Sequence, residues 1–450
     1  MADLRSFLKE LEKSNELIRI KDPISVKFEA AAVLKKLDRG PAVLFEKIKE
    51  RATPVVANVC GTRERICRAL NVRAEELHAK IIDASLHPVR PKLVKDGPVK
   101  EILEKPKLTK MPILTHYEKD AGPYITSAIV AATSPDEKTE NVSIHRLLVL
   151  DDTHLAIRLV PRHLHHLHEM AKKREKPLDV AIAIGLHPAI SLAATSSVPM
   201  GVSEYDVANS FMCGELKLTR CEHINARAPA DAELVLEGQI NPNKEVLEGP
   251  LPDILGTYDI TRKQPVIDLV GVMRRKDFIY QALLPASQEH QMLMGLAREA
   301  KIWDAIRHVV PVVGGVNLTP GGCGWFHAII SIKKQSEGDG KNALMAAFAA
   351  HPSLKHAIVV DLDIDVFNIE DVEWAIATRF HGDEDLLVIK NVRGSSLDPA
   401  SDQERELTTK VGVDATRPFH KPAEKFERAK IPENQRVKEV LKKIECELGS

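Results

Sequence analysis

Apolar residues recur at helical spacing near the start of the chain, at Leu4, Phe7, Leu8 and Leu11. The pattern returns at Phe28, Ala31, Ala32, Leu34 and Leu37 before Gly40 stops it. Short strand-like runs follow at 42–45 and 54–59, then two more helical patterns pass through Ala69 and Leu86. Between residues 87 and 112 the chain carries Pro88, Pro91, Pro98, Pro106 and Pro112 among many lysines. Proline lacks an N–H and fixes φ, so this density predicts a linker wrapping between domains. From Tyr124 to about Val272 strand-like runs dominate, at 125–132, 142–150, 155–160, 180–184, 234–236 and 266–272. They predict a sheet-rich middle domain, a barrel with inserted helices. A helical stretch at 292–309 leads to strand-like runs at 310–316, 328–332, 357–360 and 386–389, with helices at 343–350 and 372–377 between them. That alternation predicts an α/β domain with parallel strands, then a polar, proline-containing tail and a charged helix at 433–448. The expected chain is α/β (α+β multidomain), with an N-terminal α/β domain and its linker over 1–110, a central domain over 111–305 and a C-terminal domain over 306–450.

Composition narrows the function. The 450 residues hold 63 Lys+Arg against 64 Asp+Glu, so the formal charge is −1 and nucleic acid is not an expected partner. Eleven Phe, five Tyr and three Trp are too few for a base-stacking platform. No apolar run approaches the roughly 20 residues that span a bilayer, so no membrane is expected. The opening MADLRSFLKELEK lacks the apolar core of a signal peptide. Six cysteines, Cys60, Cys67, Cys213, Cys221, Cys323 and Cys446, show no CxxC and no repeated spacing. Together these features predict a cytoplasmic enzyme.

Four segments are denser in polar groups than their surroundings require. Arg162-His163-Leu164-His165-His166-Leu167-His168 is either a metal-bridging helix or an amphipathic helix with buried leucines and solvated histidines. Asn141, Ser143 and His145 alternate along one face of a predicted strand, and Arg146 opens the apolar run after them. Ser196 to Glu204 is a small polar turn leading into a helix start, where free N–H groups favour a phosphate. Glu248 and Asp253 stand five residues apart around a Gly-Pro turn. Paired carboxylates beside an arginine can divide labour, one ionised and one carrying a proton. Taken singly, each segment is also compatible with an ordinary turn or surface ion pair. No phosphate-loop, dinucleotide, HExxH or GxSxG signature is present.

In order, NxSxxR (from Asn141), PxH (from Pro161), SSxPxGVSE (from Ser196) and EGPxxD (from Glu248) resemble the UbiD-like family of decarboxylases, which use prenylated flavin mononucleotide. The likeness runs from the N-terminal leucine-rich helix to the Asp361–Asp365 and Trp374–Arg379 segments. It implies an N-terminal α/β domain, a central split β-barrel akin to flavin reductases, and a C-terminal α/β dimerisation domain with a long final helix. It places a divalent metal, Mn2+ or Mg2+, at Asn141, His163 and Glu204, a ligand set suited to hard cations. A K+ is expected nearby, its ligands unassigned. Ser143, Ile144, His145, Arg146, Arg162 and His163, the turn Ser196, Ser197, Val198 and Pro199, and Glu204 would line the cofactor. The family's catalytic Glu-Arg-Glu network maps onto Glu248, Arg146 and Asp253. Arg146 would hold the substrate carboxylate and keep Glu248 ionised. Asp253 would protonate the carbon after carbon dioxide leaves, while the flavin takes up the electrons. The chain departs from the commoner pattern there, since Asp is one methylene shorter than Glu.

The implied activity is reversible, non-oxidative decarboxylation of an aromatic, heteroaromatic or α,β-unsaturated acid. His290 and Arg298, eight residues apart on a predicted helix, could face one side and receive a second anionic group. A dicarboxylate such as furan-2,5-dicarboxylate fits; the alternative is a phosphorylated enoic acid of the anhydromevalonate phosphate type, from isoprenoid biosynthesis. A non-catalytic flavin-binding protein would not need Arg146, Glu248 and Asp253 together, and a flavin reductase would need a nicotinamide site. The implied partners are a flavin prenyltransferase that supplies the cofactor and further copies of the chain, as a dimer or a hexamer.

Overall fold

Asp3 caps the first helix, Leu4–Lys13: its carboxylate accepts the Ser6 N–H at 2.9 Å, a contact of about 1 kcal/mol. Leu4, Phe7, Leu8 and Leu11 on that helix are buried, as their spacing predicts. The structure is a computed structural model and describes residues 3–432 and 434–448. Glu433, the predicted start of the last helix, and the side chain of Cys446 lie outside the described residues; that helix is seen over Gln435–Leu448. Among the described cysteines none is paired, and no helix among the described residues is long and apolar enough to cross a membrane.

The N-terminal segment builds a four-stranded mixed sheet from Leu17–Ile20, Ala42–Phe45 and Val55–Ala57. Its last strand, Tyr280–Gln281, comes from more than 200 residues downstream and pairs parallel to Val55–Val56.

Six antiparallel strands close the central barrel: β1 (Tyr124–Thr133), β2 (Glu140–Val149), β3 (His154–Ile157), β4 (Leu178–Ile184), β5 (Leu234–Glu248) and β6 (Arg262–Arg274). Their order around the barrel is β5-β4-β1-β2-β3-β6, with β6 pairing back onto β5. Val130, Ile182 and Leu236 lie side by side across three strands and belong to one core. Their neighbours Ala131 and Ala181 belong to a second core shared with the surrounding helices. Burial on both faces explains why these strands read as continuous apolar runs. β5 and β6 extend far beyond the predicted 234–236 and 266–272, because their outer halves are polar and carry no apolar signal.

Two sequence expectations change here. The proline-rich stretch is more than a linker. Lys92–Val94 pairs with a strand at Lys217–Arg220, and Ile102–Glu104 adds to the edge of β6. Proline is tolerated because these are short edge strands whose ends it bounds. The C-terminal tail also hides a strand, Leu407–Ala415, which pairs parallel to His356–Asp361. Its alternation was masked by Lys410, a buried lysine whose ammonium is satisfied by the carbonyls of Pro352 and Leu354. The resulting five-stranded sheet is mixed. His327–Ile332, His356–Asp361 and Leu407–Ala415 run parallel, and both edges, Val313–Leu318 and Leu386–Arg393, run antiparallel. Val313–Leu318 joins its neighbour through residues 319–326 alone, too few for a crossover, which explains why that edge runs antiparallel.

Candidate active site

β2 supplies the first part of the site. β3 pairs only with its Leu147–Val149 end, so the outward edge of the preceding half of β2 has no strand beside it. Val142 turns its N–H to that open edge and donates to Glu204 Oε2 at 2.6 Å. Ile144, two residues on, presents its N–H the same way. Glu204 opens helix α2 (Glu204–Phe211), capped by the Ser203 hydroxyl, and also accepts Asn141 Nδ2 at 3.0 Å. Burial pushes the Glu204 carboxyl up to about 7, although Val142 and Asn141 bond it. Ser143 Oγ stands 2.9 Å from Asn141 Oδ1 and 3.0 Å from His145 Nε2, so Asn141, Ser143 and His145 do share one face. Arg146, one residue further, lies on the opposite face. The side chains of Ser143 and His145 therefore point away from the face that carries Arg146, and Ile144 reaches the open edge through its backbone.

His163 begins helix α1 (His163–Lys172), with Arg162 at its N-cap. Among the described residues it makes no hydrogen bond to Asn141 or Glu204, and no group of three or more His, Cys, Asp or Glu side chains gathers as a metal cage. Leu164 and Leu167 face inward as the amphipathic pattern requires. The expectation that the other histidines are solvated holds for His166 but fails for His168, which is buried among the inward leucines. Desolvation lowers its pKa.

At the other end of β2 the Arg146 guanidinium lies between carboxylates. Nε and Nη2 donate to the two oxygens of Glu248 at 2.9 and 3.0 Å, a bidentate pair. Glu248 is fully buried at the end of β5 and also accepts the Tyr124 hydroxyl at 3.1 Å. Desolvation opposes the charge on Arg146, but its bonds to Glu248 win and its pKa is raised. The loop from β5 to β6 then carries Asp253 and Asp259 back over Arg146. It turns at Gly249, whose φ of +100° suits glycine. Asp253 Oδ2 is 3.5 Å from Arg146 Nη1, and that nitrogen has no hydrogen-bond partner. The Asp253 side chain is 30% exposed, so it stays reachable.

Helix α3 (Gln288–Arg307) forms the facing wall. His290 lies in the field of Asp253 and Arg146; desolvation lowers its pKa, with Asp253 opposing and Arg146 assisting. Arg298 sits about 12 Å further along the axis. It donates to Ser197 Oγ at 2.8 Å and lies over the Trp325 ring. It pairs with no carboxylate: its neighbour Glu299 turns to Arg63 and His78 instead. Burial, with Arg162 nearby, pushes Arg298 down to about 10. α3 thus carries His290 near the acid loop and Arg298 beside the Ser196–Pro199 turn, about 80° apart around its axis.

Several participants escape sequence reasoning. Lys301 donates to the Ser197 carbonyl at 2.8 Å and is pushed down to about 8 by burial and by Arg298 and Arg162. Tyr124 joins from β1. Asp259 accepts Arg146 Nη2 at 3.1 Å and Arg262 Nη1 at 2.9 Å. A signal existed for the last, since Asp259 and Arg262 stand three apart in the loop that carries Asp253.

Three adjoining matches to known domains cover most of the chain. They are the N-terminal domain (residues 8–85), the Rift-related domain (92–288) and the C-terminal domain (291–415) of 3-octaprenyl-4-hydroxybenzoate carboxy-lyase, UbiD. Anhydromevalonate phosphate decarboxylase of Methanothermobacter thermautotrophicus is 46% identical over 94% of this chain and 99% of its own. The enzyme of that name from Methanocaldococcus jannaschii is 45% identical over 93% and 99%. Among solved structures, the UbiD-class enzyme HmfF from Pelotomaculum thermopropionicum in complex with FMN superposes with a TM-score of 0.93 at 41% identity, covering 96% of this chain and 97% of that one.

Proposed function

Because the chain belongs to the UbiD family and is a carboxy-lyase of that family, we propose that its substrate is a phosphorylated enoic acid of the anhydromevalonate phosphate type, decarboxylated with prenylated FMN. The near full-length likeness to anhydromevalonate phosphate decarboxylases carries this reading ahead of furan-2,5-dicarboxylate. Both substrates are anionic at two ends; Arg146 would receive the carboxylate and Arg298, on α3, the second anion.

The residues present suit the flavin and its metal. Ser196–Pro199, with Lys301 on its Ser197 carbonyl and Arg162 nearby, offers cations that suit a phosphate. The open edge of β2 offers backbone N–H groups. Glu204, buried without a cationic partner and holding its proton up to about 7, would exchange that proton for Mn2+ or Mg2+, with Asn141 and His163 as the further ligands. A K+ beside the phosphate, a flavin prenyltransferase as supplier and a homo-oligomeric state complete the proposal. The prenylated flavin, when bound, supplies the electron sink for the breaking C–C bond.

The chain's own part follows from Arg146 and its neighbours. Arg146 Nη1, with no partner of its own, would receive the substrate carboxylate and orient it. Glu248 holds the guanidinium in plane. Asp253, on the reachable side, would return the proton to the carbon that loses carbon dioxide. Asp253→Asn should lower decarboxylation by roughly 10²- to 10⁴-fold and abolish substrate H/D exchange while flavin remains bound. Wild-type turnover in that variant excludes the assignment. Protein co-expressed with a flavin prenyltransferase should carry a modified-flavin absorption spectrum and release carbon dioxide from anhydromevalonate phosphate. Faster release from furan-2,5-dicarboxylate would reverse the order of the two substrates. Arg298→Ala should depress kcat/KM for dianionic acids more than for monoanionic ones, and an equal loss would remove Arg298 from substrate recognition.

A further inference from the structure

We infer that Asp259 is a positioning residue that holds Arg146 off Asp253, keeping the proton donor free. The inference rests on the decarboxylase reading above. Asp259 is the shared counter-charge of three arginines. Its Oδ2 accepts Arg146 Nη2 at 3.1 Å and Arg262 Nη1 at 2.9 Å, and lies 3.5 Å from Arg158 Nε. Its Oδ1 accepts a second contact from Arg262 at 3.0 Å and the Ile260 N–H at 2.9 Å. The Asp259 N–H donates to the Leu251 carbonyl, so the same loop that carries Asp253 fixes Asp259. Its side chain is only 5% exposed, so solvent does little to screen these charges.

The consequence for Arg146 is geometric. Glu248 takes Nε and one hydrogen of Nη2, and Asp259 takes the other hydrogen of Nη2, so the two carboxylates hold adjacent edges of the guanidinium. Nη1 alone is left, 3.5 Å from Asp253 and short of a hydrogen bond. An arginine released from Asp259 would be repelled by Arg158 and Arg262 and would close on Oδ2 of Asp253, already 3.5 Å away, while Oδ1 keeps the Ile254 N–H at 2.6 Å. That pair would fill the edge meant for substrate and favour the ionised form of the donor. The groups facing Asp253 are Arg146 from β2, His290 from α3 and Asp259's own loop, and only Arg146 changes partner in this exchange.

Asp259→Asn is the test. In the variant, kcat/KM should fall about 10²-fold, the loss that an ångström-scale misplacement produces. The alkaline limb of the kcat–pH profile should move to lower pH, because the new contact with Arg146 favours the ionised carboxylate. Asp259→Glu should restore part of the rate. A crystal structure of the variant should show the Arg146–Asp253 separation closing to about 2.9 Å, a readout independent of turnover. If Asp259→Asn does not fold, Asp259→Asn with Arg262→Gln restores the local charge balance, and the same limb shift and contact are expected. An unmoved limb with an unchanged separation overturns the inference. A wild-type enzyme inert toward every acid tried would instead overturn the substrate reading, and the structural readout would still decide the role of Asp259.

Discussion

Arg146 and Arg379 both sit among carboxylates with little solvent exposure, and only Arg146 lies in the candidate site. Arg379, at the end of the helix Ile369–Arg379, donates through Nη1 to Asp361 at 2.7 Å and through Nη2 to Asp363 at 2.6 Å. The Trp374 ring covers its guanidinium at 5.1 Å. Its one unpartnered nitrogen is Nε, next to the side-chain stem. Arg146 is almost as buried, but its unpartnered nitrogen is the terminal Nη1, with a part-exposed carboxylate beside it. Burial and ion pairing are common to both. What separates a structural clamp from a reactive one is which nitrogen is spare and whether a substrate can reach it.

That contrast breaks most directly at Arg146. Arg146→Ala should cost roughly 10³-fold in kcat/KM, since it removes a charged donor aimed at the reacting group. A loss below tenfold would mean that the spare nitrogen is not used. Arg379→Ala should behave in the opposite way. It removes the Arg379 bonds to Asp361, which then keeps, among the described residues, the Arg417 backbone N–H at 2.7 Å and the Arg417 guanidinium at 3.7 Å, so denaturant unfolding should show about 1 to 3 kcal/mol of lost stability, with kcat of the folded fraction unchanged. A smaller effect is expected beside the Ser196–Pro199 turn. Lys301, pushed down to about 8, is cationic below that pH and neutral above it. FMN binding to the apoprotein should therefore weaken about tenfold as pH rises through 8, and Lys301→Gln should flatten that dependence. Equal pH dependence in the variant would assign the titration to another group. The smallest effect belongs to Trp374→Leu, about 1 kcal/mol from the lost cation–π contacts with Arg379 and Arg428, read by thermal unfolding.

Legibility varied with the kind of signal. Strands buried on both faces, such as 180–184, announced themselves through unbroken apolar runs. The Leu407–Ala415 strand did not, because a lysine satisfied only by carbonyls breaks its pattern. Nor did the edge strands of the proline-rich stretch, whose partners lie more than 100 residues away. Within the site, Asn141, Ser143 and His145 could be placed on one face by alternation alone. That Arg146 therefore points the other way follows from the same rule, but which face holds the chemistry does not.

The sequence by itself determined the local part: helix and strand periods, a capped helix opening with Glu204, a Gly-Pro turn between two carboxylates, and ordered motifs specific enough to indicate the family. Tertiary structure decided the rest. Only barrel closure brings the end of β5 against β2 and makes Glu248 the bidentate partner of Arg146. Only the return of the β5–β6 loop sets Asp259 against three arginines and leaves Asp253 free. Distances of a few tenths of an ångström separate a hydrogen bond from an idle neighbour, and they are set by the packing of segments far apart in the chain.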